Sequence, residues 1–204
     1  MTQAHPYPLV LRGERTEPLS RWLWLVKWVL VVPHIVVLFV LFLGGVVVWV
    51  VALVAILLTG RYPRPLFDYM VGILRWAWRV GFYSYQALGT DRYPPFTLSP
   101  RDDYPADLGV VYPERLSRGL VLVKWWLLAF PHYLILEIFQ GGTGYCYGGL
   151  HLLLVLFAAI ALLFTGRYPL GLWEFIMGIN HWAYRVAGYV LLLTDRYPPF
   201  RLGK

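Results

Sequence analysis

From Trp22 to Thr59 the chain runs for 38 residues with Lys27 and His34 as its only ionisable side chains. A helix that crosses a bilayer needs about 20 apolar residues. A soluble core helix of this length would carry a polar stripe, and none is present. Only 14% of the 204 residues are charged, against about 25% in a soluble domain, and the mean hydropathy of +0.57 points the same way. Many of the ten Trp and 15 Tyr flank the apolar runs, as in the aromatic belts at membrane–water interfaces. The formal charge of +7 would raise nucleic acid as a partner of a soluble chain. Here the basic residues border apolar runs, so cytoplasmic loops and anionic headgroups account for them, and no nucleic acid is expected. Cys146 is the only cysteine, so no internal disulfide can form. Residues 1–19 lack the apolar stretch and cleavage site of a secretory signal. The first apolar segment is therefore expected to act as its own insertion signal.

The chain repeats itself. Leu19-Ser20-Arg21 returns as Leu116-Ser117-Arg118, Lys27-Trp28 as Lys124-Trp125, and Pro33-His34 as Pro131-His132. Thr59-Gly60-Arg61-Tyr62-Pro63 returns at Thr165, and Thr90-Asp91-Arg92-Tyr93-Pro94-Pro95-Phe96 at Thr194. Offsets run from 97 to 106 and back to 104, so small insertions separate two copies of one unit. The division is an N-terminal segment 1–18, a first repeat 19–96, a linker 97–113 rich in Pro and Asp that reads as exposed, and a second repeat 114–204.

The second copy is eight residues longer between its Pro-His pair and its Thr-Gly-Arg-Tyr-Pro block. The excess is glycine-rich, around 140–149, opposite Gly44-Gly45. Backbone inside hydrocarbon must be internally hydrogen-bonded, so this insertion suggests a loop and each apolar run a hairpin of two helices, about 21–43 with 46–59 and 119–139 with 149–165. The uncharged turns would then lie outside, with Cys146, and both termini in the cytoplasm. The alternative is one kinked span per run. A third helix follows at about 65–88 and 171–193. Its charged stripe suits either a helix lying in the interface or a span facing a protein interior. The expected fold class is an all-α integral membrane protein, two tandem repeats, each a transmembrane hairpin plus an amphipathic helix, with about four transmembrane helices.

Thr-x-Arg-Tyr-Pro occurs four times. It reads as a helix stop at the membrane surface, with Gly60 and Gly166, and less readily Asp91 and Asp195, in the left-handed conformation. It also reads as a set of anionic-lipid contacts through Arg61, Arg92, Arg167 and Arg196. His34 and His132 form a candidate intramembrane polar site. Each ring could donate to a carbonyl freed by the preceding proline, or the two could face one another across a pseudo-two-fold axis. Lys27 and Lys124 are expected to snorkel to the cytoplasmic surface. Asp68 with Arg75 or Arg79, and Glu174 with Arg185, are candidate ion pairs that ease insertion. No metal-spaced cluster, phosphate loop, nucleophile elbow or nucleotide fingerprint is visible, and no catalytic residue, cofactor or metal is assigned.

The order Leu-Ser-Arg, Val-Lys-Trp, Pro-His, apolar run, Thr-Gly-Arg-Tyr-Pro and Thr-Asp-Arg-Tyr-Pro-Pro-Phe resembles the bacterial membrane family known as domain of unknown function 4389. The resemblance covers nearly the whole chain, twice, and implies a bacterial membrane protein without supplying an activity. The second copy departs from the first in its glycine-rich insertion and in His181, which stands where the first has Arg75. The expectation is a multi-pass protein of the bacterial cell membrane, in contact with anionic lipids and with a membrane protein partner or further copies of itself. It would act as a non-catalytic accessory or scaffold subunit. A carrier or channel for a lipid or small solute is the alternative, and a lipid-modifying enzyme the second alternative.

Overall fold

Val32–Thr59 contains no helix breaker beyond its first turn, and it forms a single 28-residue helix. Pro33 occupies the opening turn, where its missing N–H costs nothing. Gly60 ends the helix in the left-handed region at φ 71° and donates its N–H to Ile56 O at 2.8 Å. The computed structural model describes residues 7–141 and 149–203. In chain order its elements are β1 (Leu9–Gly13), α1 (Trp24–Leu30), α2 (Val32–Thr59), α3 (Arg64–Tyr83), β2 (Ala106–Val110) and α4 (Leu120–Val123). A π-helical turn (Lys124–Leu128), α5 (Phe130–Gln140), α6 (Gly149–Thr165) and α7 (Leu170–Val190) follow.

The first expected hairpin does not form. Gly44 and Gly45 lie inside α2, which passes through them unbroken. Glycine in a helix interior costs about 1 kcal/mol, and here it admits a neighbour. A Cβ on Gly44 would sit 2.8 Å from the Tyr69 hydroxyl oxygen, and one on Gly45 3.3 Å from Ile73 Cδ1. The glycine pair is a docking point for α3. In the second repeat α5 has 11 residues and α6 has 17, together the length of α2. Their outer ends, Phe130 and Thr165, are the sequence equivalents of Val32 and Thr59. His132 meets Trp182 as His34 meets Trp76, and Gly149 abuts the Phe139 carbonyl and Gly141 N. The two helices thus follow the path of α2. The expected glycine-rich turn and Cys146 fall on residues 142–148, outside the described residues, as do Met1 and Lys204. Two helical stretches are long and apolar enough to cross a membrane, Val32–Thr59 and Leu120–Gln140, with Gly149–Thr165 a shorter apolar helix. Four spans are not found among the described residues.

The chain is mostly helical, but not all of it. β1 and β2 form an antiparallel ladder, Leu9 opposite Val110 through Gly13 opposite Ala106. Alternation makes the ladder one-sided: Leu9, Leu11, Ala106 and Leu108 are buried. The segment expected as an exposed linker instead places Tyr104, Ala106 and Leu108 in the core. The ladder also crosses the repeats. β2, which leads into the second repeat, lies on α3 of the first, and β1, which leads into the first, lies on α7 of the second. α2 packs on α3 and also on α4 of the other copy. One core cluster consequently unites Ile56, Trp78 and Phe82 with Leu108, Ile176 and Leu193.

The third helices, α3 and α7, turn the arginines of their charged stripes toward protein, and neither is among the helices long and apolar enough to cross a membrane. Arg79 is fully buried and Arg185 is 4% exposed. At Gly72 of α3 a Cβ would stand 2.8 Å from Leu98 Cβ, a backbone-anchored atom that cannot swing away. At Gly171, in the first turn of α7, it would meet nothing within 4 Å. Helix propensity alone favours alanine at both by up to about 1 kcal/mol. Gly171→Ala should therefore raise stability by a fraction of that, whereas Gly72→Ala should lower it by about 1–3 kcal/mol through overpacking. Unfolding of the purified chain in a mild detergent reads both signs.

Candidate functional site

The residues that carried chemistry in the sequence gather around the Thr-Asp-Arg-Tyr-Pro-Pro-Phe blocks. In all four Thr-x-Arg-Tyr-Pro motifs the threonine Oγ1 accepts the N–H of the arginine two residues on, at 3.1–3.2 Å. The motif is thus a side-chain-closed turn. Gly60 and Gly166 take the left-handed conformation as expected, at φ 71° and 68°. Asp91 and Asp195 do not. Leu88 and Leu192 carry the positive φ after α3 and α7 instead, which leaves the two aspartates free to serve the lysines.

Lys27 and Lys124 do not snorkel. They are 1% and 0% exposed. Lys27 Nζ donates to Thr90 O at 2.6 Å and pairs with Asp91 Oδ1 at 2.9 Å, under the Tyr83 ring at 4.6 Å. Lys124 Nζ reaches Thr194 O at 3.0 Å and Asp195 Oδ1 at 2.8 Å, with the Tyr189 ring at 5.5 Å. The other oxygen of each aspartate accepts a backbone N–H at the start of the same repeat, Ser20 N for Asp91 and Ser117 N for Asp195. Each pair therefore staples the entry of a repeat to its exit.

His34 and His132 do not face one another. Each is closed within its own repeat: Trp76 Nε1 donates to His34 Nδ1 at 3.1 Å, and Trp182 Nε1 to His132 Nδ1 at 3.1 Å. Phe96 stacks on His34 at 3.9 Å and Phe200 on His132 at 4.1 Å. Nδ1 being an acceptor, the ring proton belongs on Nε2, which has no hydrogen-bond partner among the described residues. The expected donation to a proline-freed carbonyl is replaced by acceptance from tryptophan. The sequence carried the signal, since Trp76 with Trp182 and Phe96 with Phe200 are repeat equivalents.

The expected ion pairs are also redistributed. Asp68 pairs with Arg64 one turn before it, at 3.2 Å; Arg75 and Arg79 lie two and three turns further along and turn to the strand instead. Asp107 of β2 takes Arg79 Nη2 at 2.8 Å and Arg75 Nε at 3.3 Å. Arg75 also donates to the carbonyls of Leu108 and Leu98, both at 2.8 Å. Arg185 does not pair with Glu174, which lies three turns away on α7; it donates to the carbonyls of His181 and Arg201. Burial, and then the neighbouring Arg201, pulls the Arg185 guanidinium below its ordinary range.

The four motif arginines have different surroundings. Arg92 bonds Asp103 through carboxylate and carbonyl, and Arg196 lies over the Tyr7 ring at 5.9 Å. Arg61 shares a hollow of about 410 Å³ at Gly60 with Arg115 and Arg118. Arg167 lines a second hollow of about 410 Å³ at Gly166, and a Cβ on Gly166 would touch the Arg21 guanidinium at 2.8 Å. The sequence reading gave Arg21, Arg115 and Arg118 no site role, because these residues open one repeat and reach the end of the other. Among the described residues, no three His, Cys, Asp or Glu side chains come together as metal ligands.

Breaking one side of a buried ion pair costs about 3–5 kcal/mol, because the remaining charge stays buried. Asp91→Asn is expected to lose about 3 kcal/mol of that range. The double variant Lys27→Met with Asp91→Asn should lose less than Asp91→Asn alone. Reversible unfolding of the four proteins of this cycle gives the coupling, and strictly additive losses would contradict the staple.

A family model described as Domain of unknown function (DUF4389) matches residues 21–97 and again 124–201. No curated protein and no solved structure matches the chain. Both matched regions leave out β1 and β2, so the ladder that crosses the repeats lies outside the family unit.

Proposed function

The chain belongs to this family, as two tandem copies, and we propose that it is a membrane-embedded, non-catalytic scaffold or accessory subunit of a bacterial cell membrane. The observation that carries the proposal is the exposure of its most apolar helix. In the most apolar stretch of α2 only 17% of residues are buried, and in Leu120–Gln140 only 28%. Fourteen large apolar side chains of α2 stay exposed, from Val32 to Leu58, with Phe39 at 63% and Leu58 at 71%. A core helix of a soluble protein would be largely covered. A helix of 28 residues rises about 42 Å at 1.5 Å per residue, more than the roughly 30 Å of hydrocarbon. Lipid tails, or apolar helices of a partner, would cover this face.

The polar residues favour structure over chemistry. Lysines, histidines and buried arginines are held by tryptophan, aspartate and backbone carbonyls within the protein. The carrier reading is weaker because the two histidines are enclosed in separate halves. The same reading takes the ends of α2 and α6 as the anionic-lipid contacts, supported by exposed Leu58 and Phe164 being followed there by Arg61 and Arg167. The arginines Arg118 and Arg21 of the opposite repeat lie beside them. Each cation near an anionic surface contributes about 1 kcal/mol.

Two outcomes test the reading. The chain should stay in membranes washed with alkaline carbonate and, after gentle extraction, migrate in a stoichiometric complex. Release by carbonate would remove the membrane assignment, and a solitary chain with flux or turnover in liposomes would remove the scaffold assignment. The variant Arg61→Gln with Arg118→Gln, folded as wild type, should copurify with less phosphatidylglycerol or cardiolipin. Unchanged lipid would reduce these arginines to helix punctuation.

A further inference from the structure

Three hydrogen bonds of the buried stripe recur in both halves, and one acid of the first half does not. The offset of 97 that relates the lead segments carries Leu108 to Leu11, and the offset of 106 carries Arg75 and Arg79 to His181 and Arg185. The contacts follow. Arg75 Nε donates to Leu108 O at 2.8 Å, and His181 Nε2 lies 3.1 Å from Leu11 O. Arg79 donates to Thr97 O, and Arg185 to the equivalent Arg201 O. Tyr104 donates to Arg92 O, and Tyr7 to Arg196 O. The same offset carries Asp107, which neutralises Arg79 and Arg75, to Val10.

The valine side chain accepts no hydrogen bond, so at this position the second half has no carboxylate of the kind that pairs with Arg79 in the first. Arg185, 4% exposed, makes no ion pair with any described residue. A guanidinium so buried is costly without a counter-charge. The His181 ring beside it has both nitrogens against carbonyl oxygens, Met177 O at 2.6 Å and Leu11 O at 3.1 Å. Beside these groups a cavity of about 240 Å³ opens, lined by the basic residues His181, Arg185 and Arg201, by Tyr7, and by Leu9, Val10 and Leu11 of β1. Its volume lies just below the roughly 300–1,000 Å³ of drug-sized ligand pockets, and its lining combines basic with aliphatic residues.

We propose that this cavity binds a small amphipathic carboxylate, its anion standing where Asp107 stands in the other half and its aliphatic part lying along Leu9, Val10 and Leu11. A ligand carboxylate completes in the second half the ion pair that the chain completes for itself in the first. Val10 is 61% exposed, which leaves the entrance open on the strand side.

The decisive variant is Val10→Asp, which restores the internal acid. The full chain in an uncharged detergent is titrated with octanoate, with octan-1-ol as the uncharged control and inorganic phosphate as the chainless one, and thermal unfolding is followed. Octanoate should raise the wild-type Tm saturably, and the two controls should act roughly ten- to hundredfold more weakly, the range of one charge-assisted hydrogen bond. Val10→Asp should unfold at a higher temperature than wild type without ligand and should no longer respond to octanoate. Arg185→Gln, where it folds, should also lose the response. Equal shifts from octanol, no saturable shift in wild type, or an undiminished octanoate response in Val10→Asp would overturn the proposal.

Discussion

A guanidinium with no solvent exposure must find its counter-charge inside the protein, and Arg79 finds it on another stretch of chain. Asp107 sits on β2, 28 residues beyond the arginine and just ahead of the second repeat. Holding that carboxylate in place fixes β2 on α3. The ladder then fixes β1 beside β2, and β1 reaches α7 of the second repeat. The lead segment of each copy is in this way seated on the third helix of the other. The loop ends agree: Leu116 N donates to Gly60 O at 2.9 Å, and Arg15 donates to Tyr168 O at 3.0 Å. Neither copy has a complete core without the strand and entry segment that precede its twin.

This interlock sorts the surfaces. The polar inner face of α3 and α7 is consumed by strands, carbonyls and Asp107, and the outer face of α2 and of the α5–α6 path remains apolar and exposed. The two lysine staples close each repeat between its entry and its exit, and the clamped histidines hold the start of α2 and of α5 against α3 and α7. Buried charge here is tolerated because every such group has several partners. A buried pair of this kind contributes less to net stability than to fixing one arrangement among several.

The repeat blocks in the sequence located nearly every residue that holds a half together, because Lys27, His34, Asp91 and Phe96 each recur. They did not reveal what those residues touch. Lys27 reads from the sequence as snorkelling because its partner Asp91 lies 64 positions away in a motif that resembles a helix stop. Gly44-Gly45 suggests a turn because an insertion falls opposite it; in space the small residues receive Tyr69 and Ile73. The ladder was hidden for another reason. Its two strands of five residues lie outside the repeated blocks, in segments whose proline and charge suggest exposure. The alternation of Leu9 with Leu11 and of Ala106 with Leu108 was the available sign. The direction of the charged stripe could not be read from α3 alone, because the strand that neutralises it comes after the helix.

The continuity and environment of α2 carry most of this account, and spin-label accessibility tests both together. Single nitroxides placed along residues 35–58 in a Cys146→Ser background, in liposomes, report collision with oxygen and with a water-soluble nickel chelate. The account predicts one unbroken helical period through Gly44 and Gly45. Oxygen access should be high and nickel access low at Phe39, Val46, Val50 and Val54, and both should be low at Leu38, Ala52 and Ile56. A nickel maximum at Gly44-Gly45, or nickel access across the exposed face of the helix, would contradict it.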